Sequence, residues 1–324
     1  MLYRLLRPLW RLALGVFYRR IAVEGASSLP RRGPVVLVAN HANAFVDPWL
    51  LMAALERPLT ATAKDTLRRN PIVALLIRAL GVVTFHRRED GAVPSGEVDP
   101  NAAPLARCLG RLREGGVVLI FPEGKSHDGG RLLPFRTGAA RLALAGDATI
   151  VPVGLVYGDK GRFRSAVRIR FGQPLDAVAW ERRFGADFRA LSDELRGRVA
   201  GLLEAGADRP GGPRKPGFWV FEPLVAGALA ALWGALHLAP PMLATRAVVR
   251  RTARDHDHVA THAVMFGIPI FVAMLAAWGV ATLTLLPATW ATAYVVSVLY
   301  AAPVALRYRD RLDPSQQGDC HGFS

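Results

Sequence analysis

The sequence predicts an α/β protein: a mixed, largely parallel sheet flanked by helices, with an N-terminal interfacial helix before it and a C-terminal helical membrane region after it. Three observations predict this. Between residues 34 and 206, short apolar runs alternate with stretches of helical period, the pattern of strand–helix units. Residues 1–20 (MLYRLLRPLWRLALGVFYRR) space arginines among leucines and aromatics. Beyond residue 218 the composition shifts to long apolar stretches.

Strands are expected at 34–39, 58–63, 81–86, 116–121, 149–157 and 166–171, and helices at 48–56, 70–80, 101–114, 137–146 and 187–206. The stretch 88–100, with its Gly, Pro and acidic residues, reads as a loop. The Pro/Gly/Arg-rich run after residue 206 reads as a linker. The organisation follows: an amphipathic helix at 1–25, an α/β domain at 26–206, a linker at 207–218, a hydrophobic helical region at 219–310 and a tail at 311–324.

The first segment does not read as a signal peptide, because arginines punctuate it throughout, it has no clean apolar central region, and no small-residue cleavage site follows. At 100° per residue Arg4, Arg7 and Arg11 share one narrow stripe, which suits a helix in a membrane interface with its basic stripe toward headgroups. The alternative is a helix packed on its own domain. A net charge of +15 with 51% hydrophobic residues fits a basic face working against an anionic membrane. It does not fit nucleic-acid binding, for which no motif is present. Two cysteines, Cys108 and Cys320, form no metal or redox spacing, and Cys108 reads as core.

Residues 262–286 carry no charged side chain and 288–306 are similarly apolar, so both are long enough to cross a bilayer. Arg246, Arg250, Arg251 and Arg254 precede this pair and Arg307, Arg309 and Arg311 follow it. The positive-inside tendency places both ends of the hairpin in the cytoplasm. A crossing by 219–239 would then strand four arginines on the wrong side, so this stretch, ended by Pro240-Pro241, reads as re-entrant or interfacial.

The chemistry centres on Asn40-His41-Ala42-Asn43-Ala44-Phe45-Val46-Asp47-Pro48, which follows the apolar run 34–39. A His at the exit of a strand and an Asp six positions on form an imidazole–carboxylate pair across a strand-to-helix turn, or else merely cap a loop. Asp47-Pro48 reads as a helix cap and a first-turn proline. Arg87 and Arg88 close the strand 81–86 and suit a phosphate; Lys64 closes the strand before it. Phe121-Pro122-Glu123-Gly124-Lys125-Ser126 puts a carboxylate at a strand exit, where α/β sheets place ligands. Glu123 either binds an acceptor hydroxyl or holds cations in place, and Gly124 allows close approach. A nucleotide P-loop is excluded, because its first glycine would be residue 119, a Leu. Ser126-His127-Asp128 are adjacent, and no Gly-x-Ser-x-Gly turn accompanies them, so an acyl-enzyme is disfavoured. Arg136 reads as completing a phosphate site, and Pro152 in the run 150–155 suggests an edge or bulge. Asp255, His256, Asp257, His258 and His262 read as a polar interfacial loop rather than a metal site.

Four blocks therefore occur in order: His with its Asp, then Gly81 to Arg87, then Phe121-Pro122-Glu123-Gly124, then Val151-Pro152-Val153-Gly154. This chain resembles, over about residues 30–175, the glycerol-3-phosphate and lysophosphatidate acyltransferase superfamily. With five residues between His41 and Asp47 it looks closest to the branch acylating glycerol 3-phosphate or dihydroxyacetone phosphate. The resemblance implies His41 as general base with Asp47 as its partner, and Lys64, Arg87, Arg88, Glu123, Gly124 and Arg136 at the acceptor and its phosphate. It puts Pro152 in the acyl or acceptor wall. It implies acyl-CoA or acyl carrier protein as co-substrate, no metal or other cofactor, and membrane lipids and a phosphorylated glycerol as partners. It also implies a place at the cytoplasmic membrane with the site facing the cytoplasm. Two other readings remain: the same fold acting on a phosphate-free lipid, and a lipid-binding surface protein without turnover.

Overall fold

The computed structural model describes residues 2–87, 99–127, 131–204, 224–253 and 256–312. Arg88, most of the loop at 88–100, the linker at 207–218, Arg254, Asp255 and the tail from 313 lie outside them. The chain divides into two compact units. The first is drawn from Met1–Gly15, Arg20–Tyr157 and Ala166–Gly206, the second from Val16–Arg19, Gly158–Ser165 and Ala207–Ser324.

The first unit is an eight-stranded sheet with helices on it. In chain order it contains α1 (Leu2–Phe17), β1 (Arg20–Glu24), β2 (Val35–Ala39), α2 (Val46–Ala54), β3 (Leu59–Lys64), α3 (Pro71–Leu80), β4 (Val83–Phe85) and α4 (Ala102–Arg113). There follow β5 (Val117–Ile120), α5 (Gly138–Ala145), β6 (Thr149–Tyr157), β7 (Ala166–Phe171), β8 (Leu175–Asp176), α6 (Ala177–Phe184) and α7 (Phe188–Glu204). The strand order is β1-β7-β6-β2-β5-β3-β4, with β8 also on β6. β2 pairs in parallel with β5 and β6, and β3 with β5 and β4; β7 and β8 meet β6 antiparallel. The uninterrupted apolar character of β2, buried at all five positions, is what a parallel strand covered on both faces requires. Val36, Val38, Val118 and Ile150 form one core with Cys108 and Leu112 of α4, Leu142 of α5 and Leu191 and Leu195 of α7.

Several expectations are corrected here. The N-terminal helix ends at Phe17, and Arg20–Glu24 is a strand whose alternating residues find a parallel partner in β7. From its basic stripe, Arg11 turns back onto α2. Arg11 Nε donates to Ala53 O at 2.8 Å, Trp10 and Leu14 are buried, and Leu9 and Leu12 face out. Ala53 belongs to the last turn of α2, whose carbonyls have no helical partner, so a basic side chain is worth more there than in solvent. Pro152 lies in a central strand. Thr149 and Ile150 pair with β8 and Val153 onward with β7, so the proline occupies the handover between two partners, where no N–H is called for.

Burial, opposed by the Arg107 charge, pushes the Cys108 thiol up to about 11. The native thiol therefore stays protonated at pH 8. A Cys320→Ser variant is expected to resist iodoacetamide at pH 8 until denatured, and labelling of the native form at the unfolded rate would refute this burial. The sign for stability is fixed too: the unfolded thiol ionises near pH 8.5, so this group's contribution is intact below that and is lost as pH rises toward 11.

The second unit contains α8 (Leu224–Thr252), α9 (His256–Leu285) and α10 (Ala288–Leu312). All three are long and apolar enough to cross a membrane. Pro240-Pro241 was expected to end the apolar stretch 219–239, but α8 runs unbroken through both, with the Thr245 hydroxyl donating to the Pro241 carbonyl at 2.7 Å. α8 and α10 approach closely at Gly234, where a Cβ would fall 2.1 Å from the Ala301 carbonyl oxygen. His237 is buried between helices, with its ring nitrogens 2.8 Å from the Trp233 carbonyl oxygen and 2.6 Å from the Tyr294 hydroxyl. In the same unit Arg164 makes a two-point ion pair with Asp310, at 3.0 and 2.5 Å.

Candidate active site

β2 leaves the sheet at Asn40. Its carboxamide donates to Leu155 O at 3.0 Å and accepts from Leu155 N at 2.7 Å, standing in for a rung of the β2–β6 ladder. The next residues form a tight turn in which Val46 N and Asp47 N both donate to Asn43 O. Helix α2 starts at Val46, so Asp47 sits inside the first turn and is not the cap expected for it; the N-cap, Phe45, makes no side-chain bond. A carboxylate in a helix's first turn is favoured by the exposed amides and the macrodipole.

From that position Asp47, with no side-chain exposure, reaches back to the strand exit. Its Oδ2 lies 2.8 Å from His41 Nδ1 and accepts from Asn43 N at 2.8 Å, and its Oδ1 accepts from the Tyr157 hydroxyl. A carboxylate only accepts, so Nδ1 carries the proton and Nε2 keeps its lone pair. Among the described residues Nε2 has no hydrogen-bond partner. The ring stacks on Phe121 at 4.1 Å and keeps 17% exposure, so it is fixed in plane and reachable.

A second carboxylate stands behind the first. Glu123, at the exit of β5, is fully buried in its side chain. Its Oε1 accepts from His41 N at 2.8 Å, while Oε2 lies 2.5 Å from His127 Nε2 and accepts from Leu133 N at 2.9 Å. His127 N in turn donates to His41 O at 3.2 Å. Glu123 was expected to bind an acceptor hydroxyl or to hold cations in place; in the structure its oxygens take hydrogen bonds from the loops on either side. Gly124 adopts φ +79°, and a Cβ there would sit 2.8 Å from Arg136 Nε, so the arginine side chain crosses the turn where only glycine leaves room.

His41, Asp47, Glu123, Gly124 and Arg136 are thus gathered at the exits of β2 and β5. Lys64 ends β3 and Arg87 lies two residues past β4, at the same carboxyl edge of the parallel strands. Arg88 lies outside the described residues. Pro152 is level with Val38 inside the sheet, with its ring against Gly172, so it stands deeper than the strand exits. Two residues were missed. The i, i+4 spacing of Glu123 and His127 was available as a signal; Tyr157, 110 positions from Asp47, left none.

The acyltransferase family model matches residues 20–156. The chain is similar to the 1-acyl-sn-glycerol-3-phosphate acyltransferase of Borreliella burgdorferi, 28% identical over 47% of this chain and 57% of that protein. It is also similar to the human 1-acyl-sn-glycerol-3-phosphate acyltransferase beta, 32% identical over 54% of this chain and 61% of that protein. A third likeness is to glycerol-3-phosphate O-acyltransferase 1 of Saccharomyces cerevisiae, 25% identical over 49% of this chain and 33% of that protein. The matched parts thus span about a third to three fifths of these curated relatives. The part matched by the acyltransferase family model contains the His41–Asp47 pair and both strand exits that frame it.

Proposed function

We propose that this chain is an O-acyltransferase that moves a fatty acyl group from a thioester to the hydroxyl of a phosphorylated glycerol. The observation that carries the reading is the His41 imidazole, with Nδ1 anchored on Asp47 and Nε2 open. Nε2 takes the acceptor's hydroxyl proton as the oxygen attacks the thioester carbonyl, forming a tetrahedral oxyanion. Collapse breaks the C–S bond, and the departing thiolate recovers the proton from the imidazolium. Asp47 steadies that imidazolium while the Tyr157 hydroxyl and Asn43 N–H keep the carboxylate aimed. Lys64, Arg87, Arg88 and Arg136 supply charge for the acceptor phosphate, and Gly124 leaves the acceptor room to approach.

The donor is acyl-CoA or acyl carrier protein. The acceptor is glycerol 3-phosphate or its 1-acyl derivative, the two substrates in the relatives' names. The apolar helices attach the protein to a membrane; with α8 lying in the interface and only α9 and α10 crossing, the arginines that flank this pair favour a cytoplasmic site. The test is full-length protein in detergent with labelled palmitoyl-CoA, offered glycerol 3-phosphate, lysophosphatidate and a phosphate-free monoacylglycerol in parallel. Label is expected in the product of a phosphorylated acceptor. Transfer to monoacylglycerol alone, or no thiol release with any acceptor, would sink the proposal.

A further inference from the structure

The sheet edge that carries His41 also holds a basin of about 310 Å³, lined by Asp65, Thr66, Arg68, Arg69 and His86. It is built from the exits of two strands. The 3-10 turn Asp65–Arg69 follows β3 directly, and His86 follows β4. Both walls are fixed. Asp65 Oδ1 accepts from the Thr84 hydroxyl at 3.0 Å, and the backbone of His86 is held from both sides by the Asn101 carboxamide, at 2.8 and 3.0 Å. The charges do not cancel. Asp65 meets Arg68 only loosely, at 3.7 Å, and Arg69 has no ion-pair partner among the described residues. A fixed basin carrying two guanidinium groups against one carboxylate suits a phosphate ester.

Its distance from His41 decides which phosphate. The strand order β2-β5-β3-β4 puts β3 two strands and β4 three strands from the exit that carries His41, a lateral offset of about 10–14 Å. In glycerol 3-phosphate five bonds separate a terminal hydroxyl oxygen from phosphorus, a reach of at most ~7 Å. Lys64, at the very exit of β3, stands nearer to such a phosphate by strand order than any residue at the exit of β4. Arg68 and Arg69, a further turn along the chain, lie beyond its natural range. A thioester donor differs, because its phosphate sits at the far end of a pantetheine arm about twice as long or more. We infer that the basin of Arg68, Arg69 and His86 binds the phosphate of the donor's phosphopantetheine arm, while the thioester lies at His41.

This rests on the acyl-transfer reading, and the experiment separates the two. An Arg68→Ala/Arg69→Ala variant of the full chain in detergent is compared with wild type using palmitoyl-CoA, palmitoyl-phosphopantetheine, which keeps only the arm's phosphate and should respond as palmitoyl-CoA does, and palmitoyl-pantetheine, which has no phosphate. Both arginines are exposed, so the variant is expected to fold; matching melting temperatures check this. The expected result is a KM for palmitoyl-CoA raised about tenfold, with kcat and the KM for palmitoyl-pantetheine and for the acceptor unchanged. An unaltered KM for palmitoyl-CoA overturns the inference, and so does a KM that rises for the acceptor instead. Calorimetry with free CoA reads the basin without turnover. Wild type that binds CoA more tightly than the variant, but acylates no acceptor, supports the basin and refutes the acyltransferase. Turnover with equal CoA affinity in both proteins does the reverse.

Discussion

Replacing His41 by alanine is expected to lower kcat by about 10²–10⁴-fold, the usual worth of a positioned general base, with little change in stability. The ring is partly exposed, and Asp47 keeps its bonds from Asn43 N and Tyr157 after the imidazole is gone. The buried carboxylate is therefore not orphaned. Asp47→Asn is expected to fall in the same direction while leaving KM for the acceptor nearly unchanged, because Asp47 is shielded from solvent and acts through the imidazole. The decisive reading is steady-state kinetics on folded variants. If His41→Ala retains more than about a tenth of wild-type kcat, the residual rate excludes the base role.

Glu123→Ala is expected to have the largest effect on stability. The carboxylate is fully buried and takes hydrogen from His41 N, Leu133 N and the His127 ring. Its removal orphans two backbone amides and the imidazole together, and breaking such a buried set costs about 3–5 kcal/mol. The same bonds tie the loop after β2 to the loop after β5, so activity is expected to fall with stability. His127→Gln keeps a donor toward Glu123 and is expected to be milder than His127→Ala in both measures. Urea denaturation of the two variants in one detergent would test this; equal midpoints for His127→Gln, His127→Ala and wild type would show that the Glu123–His127 contact contributes nothing.

The parts of this architecture legible in the sequence are those whose cause is local. β2, β5 and β6 read as continuous apolar runs because burial on both faces leaves no polar position. His41 and Asp47 were legible as a pair because a strand exit and the next helical turn bring positions six apart together. What was not legible depends on partners far along the chain. β8 has two residues and exists because β6 offers it an edge. The period of α1 set the angle of its basic stripe without fixing which side turned inward, and the carbonyls at the end of α2 decided that. Pro240-Pro241 looked like a stop, yet α8 continues through both.

The hydroxyl that Tyr157 lends to Asp47, like the Asn40 carboxamide's hold on Leu155, comes from the strand that closes the centre of the sheet. A nascent chain halted by the ribosome before residue 157 would carry the whole first motif and still lack the group that aims its carboxylate. Chemical competence is thus tied to a late, long-range event, and premature termination products should be inert rather than partly active. On the acyl-transfer reading, such a protein stays silent toward thioesters at least until residue 157 has been added.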